Sequence, residues 1–169
     1  MSADWKKITM ADLEMLAVGH RQKILEDYLD ANNHMNVMWY THLFSCAMQE
    51  IFVRVGLTSD YFEKNHAGTF ALEGHIRYFN EVRVGQQVTV RTRFIGRSDR
   101  RFHFIHYMSN DDRQVLSATM ESIGTHVDLQ IRRSAPFPPQ IAAAFDRLAA
   151  EHSKLPWPPL LCGCMALGG

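Results

Sequence analysis

Apolar side chains recur every three or four residues over one long segment in the first third of the chain. The segment starts at Val37 and ends at Val55, and Gly56 follows at a position where helices commonly end. This spacing predicts one α-helix from about residue 36 to residue 55, which at about 1.5 Å per residue is roughly 30 Å long. Because apolar residues cover much of its circumference, we expect the helix to be buried. The positions that form the pattern are Val37, Tyr40, Phe44, Ala47, Met48, Ile51, Phe52 and Val55.

From Thr69 to Asp128 the apolar period shortens to two residues, which is the period of a β-strand. A shorter segment of this kind precedes the helix, and polar turns separate the others. Because several segments follow one another through short turns, we expect hairpins and an antiparallel sheet. In chain order the predicted strands are HRQKIL, TFALEGHIRYF, QQVTVRTRFI, RFHFIHYMS and QVLSATMESIGTHVDL.

Two of these strands alternate regularly enough for their faces to be assigned. The predicted buried face of the second strand consists of Phe70, Leu72, Ile76 and Tyr78. In the third strand an apolar face alternates with a polar one, and the polar face consists of Thr89, Arg91 and Arg93.

The last part of the chain contains a proline-rich stretch, RRSAPFPPQ, that excludes a further central strand, and then a helical pattern, PQIAAAFDRLAAEH. Residues 153–169 are broken by prolines and nearly uncharged, and we expect this tail to be flexible or to pack on a neighbouring molecule. We assign residues 1–152 to one domain. The order of elements predicts an α+β fold in which an antiparallel sheet of about five strands curls around one long central helix.

Charge and composition exclude several classes of protein. Eighteen basic and eighteen acidic residues cancel, so no global charge favours nucleic acid or an anionic membrane. No apolar run reaches the roughly 18 residues that span a bilayer, and the N-terminus lacks the apolar core of a signal peptide, so we expect a cytoplasmic protein. The cysteines are Cys46, Cys162 and Cys164, an odd number that argues against structural disulfides, and the tail pair alone is too small for a closed zinc site.

Polar and acidic side chains are concentrated directly before the long helix, in EDYLDANNHMN. One interpretation is capping, because Asp and Asn commonly accept hydrogen bonds from a helix N-terminus. The other is catalysis, because free N–H groups at a helix start stabilise an oxyanion, and a carboxylate such as Asp30 beside them acts as nucleophile or as base for water. A metal site of Asp30, His34 and His42 is a weak pattern, since it offers only three mixed ligands.

The phrase YLDANNHMNVMWYTHLF, followed by LEGHIRYFNEVRVGQQVTVRTRF, resembles the hot-dog fold acyl-CoA thioesterases of the 4-hydroxybenzoyl-CoA thioesterase type. Members of that family carry an Asp, a Gly-His-Val/Met-Asn motif and a Tyr at the helix start, which correspond here to Asp30, His34, Met35, Asn36 and Tyr40. The resemblance implies hydrolysis of a small acyl-CoA thioester without a nicotinamide, flavin or metal cofactor. It also implies a homodimer or homotetramer with active sites at the dimer interface.

Roles for individual residues follow from the same resemblance. Asp30 takes the place of the catalytic carboxylate and the backbone N–H of Val37 that of the oxyanion donor. Asn36 steadies the loop, and both Asn36 and His34 are further candidate residues of the catalytic site. The family's Gly before the His is Asn33 here, which tolerates a positive φ almost as well as glycine.

Another departure from the family lies inside the helix. Many relatives carry an acidic residue midway along it, where this chain has Ser45 or Cys46. The subfamily whose catalytic Glu lies on that helix is therefore a poor model for this chain. The absence of that Glu favours Asp30 as the catalytic carboxylate.

A narrower resemblance covers ATMESIGTHVDLQIRRSAPFP, residues 118–138, which is similar to the betainyl-CoA thioesterases found with carnitine-degradation enzymes. It implies an acyl group with a quaternary ammonium, which favours aromatic faces and repels cations. Core packing explains most aromatic residues equally well. The candidate pocket walls are Trp39, Tyr40, Tyr61, Phe62 and Tyr78, and we expect Trp39 and Tyr40 to point to different faces of the helix.

Five arginines surround the predicted turn between the third and fourth strands. They form a candidate contact region for the phosphates of CoA, or a charged edge that protects the sheet from aggregation. These residues are Arg91, Arg93, Arg97, Arg100 and Arg101.

Two other functions are compatible with this fold. An enoyl-CoA hydratase also uses an Asp and a His, but it resembles a different motif, with Pro between Asn and His and a further Asp, which DANNHMNV lacks. A non-catalytic acyl-CoA-binding protein would use the same pocket for affinity alone. We find no DNA-binding helix pair in the sequence, which disfavours this non-catalytic sensor or binding function.

Overall fold

The computed structural model describes residues 3–167, so the ends of the predicted domain and tail, residues 1, 2, 168 and 169, lie outside the described range. The elements are α1 (Met10–Glu14), β1 (Val18–Lys23), α2 (Val37–Val55), α3 (Ser59–Asn65), β2 (Ala67–Tyr78), β3 (Gln87–Arg97), β4 (Arg101–Asn110), β5 (Val115–Asp128), β6 (Arg133–Ser134) and α4 (Pro139–His152). Short 3₁₀ turns occupy Ala3–Lys7 and Glu26–Tyr28. Among the described helices, none is long and apolar enough to cross a membrane.

One antiparallel sheet runs in the order β1-β3-β4-β5-β2, with the two-residue β6 paired to the end of β5. Helix α2 packs on one face of this sheet, here called the inner face, and contributes Leu43, Phe44 and Ala47, which are fully buried. The prediction of an α+β fold with a sheet around one long helix is confirmed.

Local interactions fix both ends of α2, as the sequence predicted. The Asn36 side chain is the N-cap, and its Oδ1 accepts a hydrogen bond from the Met38 N–H at 2.9 Å. At the other end Gly56 adopts a φ of 87°, a left-handed conformation that glycine reaches without steric cost. The helix therefore starts where the polar loop ends.

Glycine at position 19 allows β1 to approach the middle of α2 closely. A Cβ atom placed on Gly19 would lie 2.8 Å from the carbonyl oxygen of Ala47. This contact is with helix backbone, which cannot rotate away, so a larger residue would push the strand and the helix apart.

Most element predictions are confirmed, and the differences include the following two. Strand β1 begins two residues earlier than HRQKIL, and helix α3 was not predicted. Thr58 caps α3 by accepting a hydrogen bond from the Tyr61 N–H at 3.2 Å. The helix is only 7 residues long, which is too short for an apolar repeat to reveal it.

The prediction that β2 has a buried face is wrong for most of its length. Phe70, Leu72 and Tyr78 are 40%, 52% and 48% exposed, and only Ile76 packs against the core beside α2. The cause is the position of β2, which is at the edge of the sheet and pairs only with β5 among the described strands. An irregularity between Ala71 and Glu73 also shifts the alternation.

The polar face of β3 is buried, contrary to the expectation of a single buried face. Thr89, Arg91 and Arg93 lie on the outer face of the sheet, which the two ends of the chain cover. A second core forms there, and its buried members are Leu13, Leu16, Ile105, Tyr107, Leu116, Trp157 and Leu160.

The tail, here called the C-terminal segment (residues 153–167), packs on the sheet of its own chain. The Arg93 guanidinium donates a hydrogen bond to the Trp157 carbonyl at 2.6 Å and lies 4.6 Å from the centre of the Trp157 ring. Tyr107 Oη accepts a hydrogen bond from the Leu160 N–H at 3.2 Å. Prolines prevent regular structure in this segment, but side chains of the sheet bind its backbone groups instead.

Candidate active site

The loop before α2 is a compact turn built on Asp30. The Asp30 N–H donates to the His34 carbonyl at 3.0 Å, and the Asn33 N–H donates to the Asp30 carbonyl at 3.1 Å. Asn33 has a φ of 59°, so the residue that replaces the family's glycine does adopt the left-handed conformation. Asn33 therefore adopts a conformation that most other non-glycine residues disfavour.

The Asp30 carboxylate binds its own loop and not the helix N-terminus. Its Oδ1 accepts a hydrogen bond from the Asn32 N–H at 2.8 Å, and its Oδ2 lies 3.4 Å from Nδ1 of His34. The Asp30 side chain remains 24% exposed. Capping therefore explains Asn36 but not Asp30, which stays available to a ligand.

The start of α2 offers a free backbone donor. Asn36 Oδ1 binds the Met38 N–H, and the Trp39 N–H donates to the Asn36 carbonyl at 2.9 Å. Between them, the Val37 N–H has no hydrogen-bond partner within residues 3–167, and Val37 is 61% exposed. A free N–H on an exposed residue at the positive end of a helix dipole is suited to an oxyanion.

Metal binding by this loop has no support from the geometry. Asp30 and His34 lie together, but His42 packs edge-on against Trp39, with ring centres 5.4 Å apart. Across the described range, no group of three or more potential metal ligands is found.

A cavity of about 610 Å³ lies between α2, β2 and the inner face of the sheet. Four phenylalanines contribute to its wall, one acidic side chain lines it, and the lining within residues 3–167 includes no Lys or Arg. The lining residues that matter below are Phe52, Phe70, Phe102, Phe104, Glu73 and His106. The sequence did not reveal this cavity, because its complete lining comes from one helix, α2, and three strands, β2, β4 and β5.

His106 is a buried polar residue in the lining of this cavity. The ring stacks on Phe44, with centres 5.6 Å apart, and its Nδ1 lies 2.7 Å from Thr92 Oγ1. Its Nε2 is buried and has no partner among the described residues. Burial lowers the pKa of His106 to about 3, so the imidazole is uncharged at neutral pH. The cavity therefore presents no positive charge from its floor.

The predicted aromatic walls lie elsewhere. Trp39 stacks face to face on Tyr28, with ring centres 3.8 Å apart, while Tyr40 is buried beside Tyr78. Trp39 and Tyr40 thus point to different faces of α2, as expected, but neither lines the cavity. Tyr61 Oη pairs with Nε2 of His126 at 2.9 Å. Phe62 packs beside it and also lies outside the cavity lining.

The five arginines do not form one surface. Arg91 and Arg93 are buried on the outer face of the sheet, so they are not at the turn where we expected CoA phosphates. Arg97 forms an ion pair with Asp146 at 2.6 Å, and Arg101 donates to the Leu167 carbonyl at 2.8 Å. Arg100 pairs with exposed Asp99 next to it. A role in CoA binding stays a prediction for the three residues at the turn.

A family model described as the Thioesterase-like superfamily matches residues 25–145. The chain belongs to this superfamily. The match includes the Asp30 loop, α2 and all strands from β2 to β6.

This chain is similar in sequence to two curated relatives. The betainyl-CoA thioesterase of Pseudomonas aeruginosa is 32% identical over 135 residues, which are 80% of this chain and 85% of the relative. The L-carnitine dehydrogenase/betainyl-CoA thioesterase of Agrobacterium fabrum is 33% identical over 138 residues, which are 81% of this chain. The chain spans only 28% of that longer relative's length.

Solved structures confirm the hot-dog thioesterase fold. A Staphylococcus aureus protein in complex with CoA has a TM-score of 0.79 and 24% identity, covering 90% of this chain and 97% of its own. A putative thioesterase from Pseudomonas putida has a TM-score of 0.74 and 27% identity, covering 91% of this chain and 98% of its own.

Proposed function

We propose that this chain hydrolyses an acyl-CoA thioester to the free acid and CoA. The observation that carries the proposal is the loop before α2, where an available carboxylate, Asp30, precedes a helix start with a free N–H at Val37. Membership of the Thioesterase-like superfamily and the similarity to two thioesterases support it. Release of free CoA thiol from a panel of acyl-CoAs tests the activity directly.

In this mechanism the thioester carbonyl binds with its oxygen toward the Val37 N–H. That donor stabilises the negative charge that develops on the oxygen, an effect worth about a hundredfold to a thousandfold in rate for one such group. Asp30 acts on the carbonyl carbon, either by direct attack or by activating water. His34, 3.4 Å from the carboxylate, and the Asn32 N–H hold Asp30 in place.

We further propose that the cavity beside α2 receives the acyl group and that this group is cationic, such as betainyl. Its phenylalanine wall, its one carboxylate at Glu73 and the uncharged His106 all suit a trimethylammonium group. Phe52 replaces Trp39 as the candidate contact, because it lines the cavity and Trp39 does not.

Replacement of Phe52 by Leu is expected to lower kcat/KM for betainyl-CoA about two- to thirtyfold, the range of one cation–π contact. The matched neutral substrate is 3,3-dimethylbutanoyl-CoA, which has the same shape with carbon in place of the charged nitrogen. Its kcat/KM should change much less. Trp39→Leu is the control variant.

If Phe52→Leu lowered kcat/KM equally for both substrates, the Phe52 ring would contribute packing contacts and no cation–π interaction. If the parent enzyme hydrolyses other acyl-CoAs but not betainyl-CoA, the cationic substrate is excluded while the thioesterase function stands.

We also propose that the protein forms a homodimer, or a homotetramer of two dimers, through the free edge of β2. This edge exposes Phe70, Leu72 and Tyr78 beside unpaired backbone groups, which in a lone chain favours aggregation. A second copy that pairs along β2 would also cover the cavity, since residues 69–74 and Ile76 line it.

Light scattering at micromolar concentration is expected to show a dimer or tetramer. Leu72→Lys should shift the population toward monomer, because it places a charge in the paired edge. The control is Val84→Lys, since Val84 is similarly exposed, at 46%, but lies outside the strands. A parent protein that is only monomeric would contradict the proposal.

A further inference from the structure

The C-terminal segment brings two thiols together above the outer face of the sheet. The Sγ atoms of Cys162 and Cys164 are 3.2 Å apart, which is only about 1.2 Å longer than a disulfide bond. Gly163 between them has a φ of 79°, a left-handed conformation that turns the chain so that both side chains lie on one side. Cys46, the third thiol, lies in α2 near His42 and takes no part.

Contacts with the sheet hold this pair in place. The Cys162 N–H donates to Oε2 of Glu121 at 2.5 Å, and Oε1 of Glu121 lies 2.8 Å from Nε2 of His103. On either side of the pair, Arg77 donates to the Leu160 carbonyl and Arg101 to the Leu167 carbonyl. The turn that carries the two thiols is therefore anchored at both ends and in the middle.

We propose that Cys162 and Cys164 form a redox-active dithiol, which low-molecular-weight disulfides such as glutathione disulfide convert to an intramolecular disulfide. Cys164 is the first nucleophile because it is exposed, whereas Cys162 is partly buried and burial raises the pKa of its thiol. This modification site is independent of the proposed hydrolysis.

The exchange proceeds in two balanced steps. The Cys164 thiolate attacks one sulfur of glutathione disulfide, the S–S bond breaks, and one glutathione thiolate leaves and takes up the proton of Cys164. The Cys162 thiolate then attacks Cys164 Sγ and displaces the second glutathione, which takes up the second proton. Two protein thiols are oxidised, and one glutathione disulfide is reduced to two glutathione molecules. The small ring makes this a labile disulfide and not a structural one.

The full-length protein provides a direct test. After equilibration with glutathione disulfide, free thiols are alkylated and the protein is digested with trypsin, which cleaves after Lys154. Residues 155–169 contain both tail cysteines and no Lys or Arg, while Cys46 falls in a different peptide. We expect this peptide to lose two hydrogens, to take up no alkylating group, and to return to the dithiol with dithiothreitol.

Single variants separate the two thiols. Cys46→Ser should leave the result unchanged, whereas Cys162→Ser and Cys164→Ser should each stop at a glutathione adduct on the remaining cysteine. Glutathionylation should be several-fold faster in Cys162→Ser, which keeps the exposed Cys164. The proposal is overturned if the parent peptide remains alkylated at both cysteines, carries glutathione on both, or links only to a second chain.

Discussion

Replacement of Asp30 by Asn is expected to lower acyl-CoA hydrolysis about a hundredfold to ten-thousandfold while the protein remains folded. The amide cannot attack the carbonyl or accept a proton from water, so the chemical step loses its carboxylate. The turn should persist, because Asn also offers an oxygen to the Asn32 N–H, the contact that Oδ1 of Asp30 makes at 2.8 Å. The measurement is kcat for release of CoA thiol, beside a thermal unfolding curve.

The matched control is Asp27→Asn. Asp27 lies in the preceding 3₁₀ turn and is exposed, so its replacement should leave the rate close to that of the parent. Near-normal turnover in folded Asp30→Asn would remove Asp30 from the chemistry. If only Asp27→Asn lowered the rate of hydrolysis strongly, Asp27 and not Asp30 would be the catalytic carboxylate.

Acid is expected to destabilise this protein through two buried histidines. Burial lowers the pKa of His106 to about 3 and that of His152 to about 4. His152 Nδ1 also accepts a hydrogen bond from the Phe94 N–H at 2.8 Å, which requires that nitrogen to be unprotonated. Protonation of either ring in the folded state is therefore unfavourable.

The sign of the effect follows from these pKa values. Below about pH 6.5 the unfolded chain binds protons that the folded chain excludes, so the free energy of unfolding falls as the pH falls. The stabilisation of the folded state by the two neutral histidines is complete above about pH 6.5. It is lost as the pH falls toward their folded-state pKa values, by about 1.4 kcal/mol of unfolding free energy per pH unit for each histidine.

Urea unfolding at fixed protein concentration, from neutral pH to about pH 4.5, measures this slope. His106→Phe should remove roughly the part of this pH slope that one histidine contributes, because Phe fills the space beside Phe44 without titrating. His152→Asn should remove the part of the slope that His152 contributes. The protein should stay folded, since the Asn amide oxygen can accept the hydrogen bond from the Phe94 N–H. A slope unchanged by both substitutions would contradict the assignment.

The sequence determined the features that depend on neighbouring residues. The apolar repeat and Gly56 located α2, and the terminal helix from Pro139 to His152 was predicted at its observed bounds. The positive φ of Asn33 also agrees with the expectation that Asn tolerates a left-handed conformation there, while the catalytic role of the motif around Asp30 stays a prediction. Helix periodicity, capping and turn geometry are local effects, so a few adjacent residues are sufficient to specify them.

Only the tertiary structure decided which surfaces are covered. Arg91 and Arg93 look like solvent-facing residues in an alternating strand, yet they are buried on the face that both ends of the chain cover, while the apolar Phe70 and Leu72 remain exposed on an edge strand. Likewise, the phenylalanines in the wall of the cavity come from α2, β2 and β4, and Trp39 is not among the lining residues. Alternation along one strand shows that two faces differ, but burial depends on the segments that pack on each face, and those segments are far away in the sequence.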